Sequence, residues 1–131
     1  YPEARQRLLQ NVVNANLKNV LTLGGDVHMN VAANLRMAIN DPQSPVVASE
    51  FVTTSITSRG MGDKALATIR ESNADLLHAR SDERGYTAIT VTPDALRCDF
   101  KTTAFPAGSE TGFKTQASYV VHKDTPGPQK I

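Results

Sequence analysis

The chain has 131 residues, of which 14 are basic and 13 acidic, so we expect one domain with almost no net charge. This balance argues against nucleic acid or a membrane surface as partner. No apolar run reaches the roughly 18 residues of a membrane span, no signal peptide is recognisable, and a single cysteine excludes an internal disulfide.

A helix is predicted over residues 2–17, followed by a short apolar strand over residues 20–23. Apolar side chains recur along the helix at the spacing of one face. Tyr1 is a poor N-cap, so the sequence begins as if cut from a longer one. The strand is typical of one buried on both faces, and a helix leading into it indicates an α/β layer.

Two glycines end this strand, and Asp26 and His28 follow them. In extended backbone, residues two apart point to the same side, so these side chains can converge on one point. Strand ends are where open α/β sheets place their chemistry. One oxygen and one nitrogen ligand suit a hard or borderline metal ion. The alternative is a turn in which Asp26 orients a surface histidine.

Two further strands are predicted next, over residues 31–39 and 46–57, with a turn at residues 40–45 between them. The alanines in the first of these segments leave a helix open. Glu50 shares a face with apolar residues, and burying it unpaired would be unfavourable. It either supports a site near Asp26 and His28 or forms an ion pair with Arg36 or Arg59.

Residues 53–60 place hydroxyls, backbone amides and a guanidinium close together, with Thr54, Ser55 and Arg59 as the candidates. Such groups suit an oxyanion or phosphate contact, although the segment is equally a polar loop. Asp63 is then expected to cap a short helix through about residue 72.

The remaining chain is predicted to be mostly strand. Residues 76–79 form a brief strand and residues 81–85 a solvated turn. An antiparallel hairpin with one wet face follows, because Leu96, Cys98 and Phe100 alternate with charged residues. A loop over residues 104–115 precedes a last strand, 116–122, and residues 123–131 are expected to be a flexible tail.

The whole chain resembles the C-terminal part of the alkaline phosphatase D (PhoD-like) metallophosphatase family. The likeness is carried by the Gly25-Asp26-Val27-His28 motif and by several other short stretches in the same order and spacing. These are residues 1–8, 50–60, 84–86 and 91–93, together with Leu96, Asp99 and Phe100.

The resemblance implies a calcineurin-like phosphoesterase domain of the α/β (α+β) class, a four-layer αββα sandwich with metals at the strand ends. Residues 1–131 would form the C-terminal portion of that domain, with an N-terminal helix, mostly antiparallel sheet and one short helix. It also implies a periplasmic or secreted location.

The resemblance further implies hydrolysis of phosphomonoesters and phosphodiesters at a centre of two or three metals, with calcium and iron the usual ions. The metals would bind the phosphoryl oxygens and lower the pKa of a bound water, which attacks phosphorus in line. Asp26 and His28 would be metal ligands. The supporting or phosphate-contacting residues would be Glu50, Thr54, Ser55 and Arg59.

Two departures from the family concern the site. Asp75 stands where the family commonly has a histidine, so the role of that histidine is not carried over. The family's N-terminal motifs, with further ligands that include a cysteine and a tyrosine, precede the point where this sequence begins. Cys98 is not that cysteine.

A cluster of two or more metals needs on the order of six protein ligands, whereas the motif offers Asp26 and His28. We therefore predict that the chain alone binds metal weakly and has little or no phosphatase activity. With the second sheet missing, an apolar sheet face would be covered by self-association or by the rest of the parent protein. The alternative is a non-catalytic β-rich module that binds a partner or assembles.

Overall fold

A computed structural model describes residues 1–39, 41–109 and 111–131, apart from the side chain of Asp63. Asn40, in a predicted turn, and Glu110, in a predicted loop, lie outside these residues. The elements in chain order are α1 (Pro2–Asn14), β1 (Leu21–Gly24), β2 (Asn30–Arg36), β3 (Val46–Val52), α2 (Asp63–Glu71), β4 (Leu76–Arg80), β5 (Arg84–Val91), β6 (Ala95–Thr103), β7 (Lys114–His122) and β8 (Gln129–Lys130).

The described strands form two four-stranded sheets. Sheet A has the order β1-β3-β2-β4, in which β1 is parallel to β3 and the other pairs are antiparallel. Sheet B has the order β5-β6-β7-β8 and is antiparallel throughout. The predicted α/β architecture with mostly antiparallel sheet is confirmed. The expectation of a missing second sheet is wrong, because this chain supplies strands to both sheets.

The main core lies between the sheets. The ring of Phe51 on β3 lies 6.3 Å from Phe100 on β6 and 6.5 Å from Tyr119 on β7, between centroids. Leu96, Cys98 and Phe100 are all buried, which confirms the predicted alternation along β6. Burial raises the pKa of Cys98 to about 12. The two sheet faces therefore cover each other.

Both helices lie on the outer face of sheet A. Leu66 of α2 is buried with residues of β2 and β4, and α1 buries Leu9 and Val12 and contacts β3. The outer face of sheet B carries no helix within the described ranges. These residues therefore form three of the four implied layers: the helices, sheet A and sheet B. Neither of these helices is long and apolar enough to cross a membrane.

Some predicted element boundaries differ from the observed ones. Helix α1 ends at Asn14, because φ is 51° at Asn16 and the chain leaves the helical conformation. Strand β1 is not buried on both faces: it is the edge of sheet A as described, and Leu23 is 64% exposed. Asp63 is the first residue of α2, and Gly62 is the N-cap.

Residues 123–131 pack against the fold instead of extending from it. Strand β8 pairs with β7, and the amide of Gly127 donates to Ser49 Oγ at 2.8 Å. Gly127 has a φ of 107°, and a Cβ there would lie 2.8 Å from Asn34 Oδ1, so glycine permits this close approach. The flexible tail was predicted from the proline and glycine content of this segment, and composition does not reveal such contacts. The flexibility of the segment stays a prediction.

Candidate metal-binding site

The turn after β1 carries Asp26 and His28, and its backbone is not extended. The value of φ is 70° at Asp26 and 54° at His28. The amide of Val27 donates to the oxygen of Gly25 at 2.9 Å, and this bond across a residue of positive φ makes a rare, strained γ-turn. Strain of this kind persists where surrounding contacts hold it, and it clusters at functional sites. The extended geometry used for the prediction is therefore not the observed one.

The imidazole of His28 is oriented by the loop over residues 53–60. Its Nδ1 lies 2.8 Å from the main-chain oxygen of Arg59. Because a carbonyl oxygen only accepts hydrogen bonds, Nδ1 carries a proton, and in the neutral imidazole Nε2 therefore has the lone pair. Histidines that bind metals are commonly fixed by such a bond. His28 is half-buried and Asp26 is exposed, so both side chains are open to solvent.

Arg84, the first residue of β5, ties this turn to the loop. It was expected in a solvated turn, but it is only 2% exposed. Its Nη1 donates to Thr54 Oγ1 at 2.8 Å, to His28 O at 3.3 Å and to Ser55 Oγ at 3.4 Å. Its Nη2 donates to Ser81 O at 2.6 Å. One side chain thus connects three segments around His28.

The predicted phosphate contacts have different surroundings. Thr54 is 5% exposed, and its amide donates to Asn30 Oδ1 at 2.9 Å. The hydroxyl of Ser55 donates to Ser58 O at 2.6 Å. These bonds build the loop, and a contact of either hydroxyl with phosphate stays a prediction. The side chain of Arg59 is exposed beside the bond to His28.

Glu50 lies away from this turn, on the outer face of sheet A. It accepts a hydrogen bond from Thr22 Oγ1 at 3.2 Å and lines a cavity of about 190 Å³ with Arg5 and Asp75. The predicted ion pair of Glu50 with Arg36 or Arg59 does not occur among the described residues, where Arg36 Nε pairs with Asp75 at 2.7 Å. Asp75, where the family commonly has histidine, therefore has a structural partner in this chain.

Comparisons with known proteins identify the family of this chain. The model of a family described as PhoD-like phosphatase matches residues 1–100. The chain belongs to the PhoD-like phosphatase family. Alkaline phosphatase D of Bacillus subtilis (strain 168) is 35% identical over 133 residues, which cover 100% of this chain and 23% of that protein.

A solved structure described as the structure of PhoD is also similar to this PhoD-like chain. It aligns with a TM-score of 0.88 and 34% identity, covering 100% of this chain and 26% of its own. The resemblance and the fold class predicted from the motifs are both confirmed. The chain spans about a quarter of the length of these relatives.

The donors in this PhoD-like chain fit part of a metal site. The carboxylate of Asp26 and the free Nε2 of His28 are ligands that a hard or borderline ion accepts. No group of three or more histidine, cysteine, aspartate or glutamate side chains suited to a metal occurs in the described part of the chain. A closed protein site takes about four or more ligands, so Asp26 and His28 could supply only part of one.

A polar network beneath the PhoD-like motif was missed by the sequence reasoning. Asn30 is fully buried, and its Nδ2 donates to Gln116 Oε1 at 3.2 Å. The same oxygen accepts from His78 Nε2 at 3.0 Å, and Gln116 Nε2 donates to Glu83 Oε2 at 2.8 Å. Burial lowers the pKa of His78 more than this bond raises it. The available signal was the position of His78 and Gln116 inside predicted strands, whereas Asn30 and Glu83 lay outside them.

Proposed function

We propose that this chain supplies one part of a metal-dependent phosphomonoesterase or phosphodiesterase. The observation that carries the proposal is the strained turn after β1, which holds a carboxylate and an imidazole of fixed tautomer at a strand end. Membership of the PhoD-like family supports a phosphatase as the parent protein. A periplasmic or secreted location belongs to the same proposal, and fractionation of cells would check it.

In this proposal the residues around the turn have separate roles. Asp26 and His28 Nε2 are metal ligands. Bound metal ions, with calcium and iron as the proposed ions, would bind phosphoryl oxygens and activate the water that attacks phosphorus in line. Arg59 contacts phosphate oxygens, because a guanidinium forms paired hydrogen bonds with them. Thr54 and Ser55 hold the loop that carries Arg59. Glu50 stabilises β3, the strand before this loop, through its hydrogen bond from Thr22 on β1.

The free edges of the two sheets support a proposal about the partner. Within the described residues, β1 is an edge of sheet A and β5 an edge of sheet B. Leu21 of β1 and Val91 of β5 line the same cavity, so both edges lie on one side of the molecule. Leu23 and Val91 are 64% and 72% exposed. We propose that this side pairs with the remainder of a longer parent, and that the isolated chain self-associates through it.

Metal binding to the 131-residue chain tests the ligand assignment. The wild type is expected to bind Mn²⁺ weakly in a calorimetric titration. Asp26→Asn and His28→Gln should each weaken binding by about tenfold or more. His122→Gln is the matched control, because His122 is exposed at the end of β7, away from the turn. Equal affinity in all four proteins would contradict the assignment and favour the non-catalytic module.

Activity tests the second part of the proposal. With a nitrophenyl phosphate and added metal, the isolated chain is expected to show little or no turnover, because Asp26 and His28 are too few ligands for a cluster. Robust metal-dependent turnover by this chain would show that no further ligands are needed.

A further inference from the structure

Arg84 has no assigned part in the proposed function, although it contacts the candidate ligand. We infer that Arg84 is the positioning residue of His28: its guanidinium holds both the main chain and, through the loop over residues 53–60, the ring of this histidine. The inference rests on the proposed role of His28 as a metal ligand. It concerns how His28 is oriented, not which ion it binds.

The first contact fixes the main chain of His28. The oxygens of His28 and Ser81 both accept from the guanidinium, at 3.3 Å and 2.6 Å. The same two oxygens lie against Gly60, where an added Cβ would be 2.5 Å from Ser81 O and 2.9 Å from His28 O. The peptide group of His28 therefore has little room to turn, and its φ of 54° is maintained.

The second contact fixes the ring of His28 through the loop. Arg84 Nη1 donates to the side chains of Thr54 and Ser55. Five residues after Thr54, the oxygen of Arg59 accepts the proton of His28 Nδ1 at 2.8 Å. Movement of the loop would break this bond and free the ring to change tautomer. One guanidinium thus acts on the candidate ligand by two routes.

The surroundings of Arg84 favour an orienting role over a packing role. Its Nε is buried and has no hydrogen-bond partner in the described residues. The ring of Phe105 lies 4.9 Å from Cζ. Burial lowers the pKa of Arg84, and the charge of Asp82 offsets this only in part. An apolar side chain would occupy such a place more favourably, so the arginine is explained by the four oxygen atoms that it orients.

Arg84→Lys tests the inference, because lysine keeps the charge but cannot span the oxygens of His28, Thr54 and Ser81 together. Nitrogen NMR of the imidazoles, recorded without metal, reports the tautomer of His28. The wild type is expected to show a protonated Nδ1, and Arg84→Lys a mixture of both tautomers. In a subsequent Mn²⁺ titration, broadening of the His28 signals should give an apparent affinity about tenfold lower than in the wild type.

A matched control separates this effect from general damage. Arg97→Lys makes the same change at an exposed arginine on the outer face of sheet B, where the partner is Asp99 at 2.9 Å. The tautomer of His28 and its apparent Mn²⁺ affinity should be unchanged in this variant. The imidazole signals of His78 and His122 report the state of the fold in the same spectra. A folded Arg84→Lys chain in which His28 keeps the wild-type tautomer would overturn the inference.

A second variant tests the inference if Arg84→Lys does not fold. Thr54→Val removes one acceptor of the guanidinium at nearly constant volume, and a smaller change of the His28 tautomer in the same direction is expected. An unchanged tautomer in that folded variant would overturn the inference. If the wild type shows no Mn²⁺ effect at His28, the ligand proposal fails by itself, because the tautomer is read without metal.

Discussion

Glu83 is 7% exposed and is charged, because three side chains donate hydrogen bonds to it. These donors are Lys114 Nζ at 2.6 Å, Gln116 Nε2 at 2.8 Å and Thr102 Oγ1 at 2.9 Å. Burial by itself would raise the pKa of Glu83, but the three donors outweigh it and hold the pKa below its usual value. The carboxylate is therefore stabilised only in the folded protein.

The lowered pKa of Glu83 predicts a loss of stability in acid. Between the folded and unfolded pKa values the unfolded chain binds more protons, so the free energy of unfolding falls as the pH drops from 4.5 through the folded pKa. At pH 7, Glu83→Gln should cost about 1.5–3 kcal/mol. Urea unfolding at pH 7 and pH 4 should show a larger loss in the wild type than in the variant.

An exposed carboxylate gives the control for Glu83. Asp94 lies in the turn between β5 and β6 and is exposed, so Asp94→Asn is expected to keep the acid dependence of the wild type. If Glu83→Gln lost as much stability as the wild type between the two pH values, the prediction would be wrong.

Strands with a clear alternation could be predicted closely. A shift of one residue in β6 would expose Leu96, Cys98 and Phe100 together, so the pattern alone determines which face is buried. The position of β1 could not be predicted in the same way. Leu21 and Leu23 are equally apolar, and whether a strand lies beside them depends on distant parts of the chain.

The candidate site was predictable in its residue types but not in its geometry. Asp26 and His28 were found from the motif, but their positive φ values were not. Aspartate and histidine are enriched at positive φ, yet most of them adopt other conformations, so the residue type alone does not predict the turn. Arg84 and Thr54 are 30 positions apart, and the charged residues before Arg84 favoured a solvated turn. Its burial follows from packing between loops, which local patterns do not contain.

Substitution of Gly60 tests how tightly the loop over residues 53–60 is packed. Gly60→Ala is expected to lower the free energy of unfolding by about 1–3 kcal/mol. The reason is that the new Cβ would meet main-chain oxygens of Ser81 and His28 at 2.5 Å and 2.9 Å, and neither can move like a flexible side chain. Thermal unfolding of the variant measures this loss.

Gly112 provides the matched control for Gly60. Gly112 is exposed, and a Cβ there would have nothing within 4 Å, so Gly112→Ala should change the free energy of unfolding by no more than about 0.5 kcal/mol. Equal losses in the two variants would mean that close packing at Gly60 is not the cause.

At the scale of the whole molecule, we propose that the chain contacts other chains through the side formed by the β1 and β5 edges. An exposed strand edge offers unpaired amides and carbonyls to another strand. Leu23→Lys should therefore weaken self-association of the isolated chain, because a charge would have to be buried at the contact. Light scattering over a concentration series measures the effect.

The opposite edge of sheet A gives the comparison. Leu77 on β4 is 41% exposed, and Leu77→Lys makes the same chemical change on the far side. It should leave self-association as in the wild type. A wild-type chain that stays monomeric at the highest concentration, or equal effects of both variants, would contradict the proposed contact.

In the proposed metal site, the left-handed backbone at Asp26 and His28 places stability and metal binding in opposition. Glycine adopts positive φ without the steric strain that other residues experience, so a glycine at either position would relieve the turn and delete a candidate ligand. Proteins give up stability where activity requires strained residues. Selection of variants for thermal stability alone would therefore tend to erase this candidate site while keeping the fold intact.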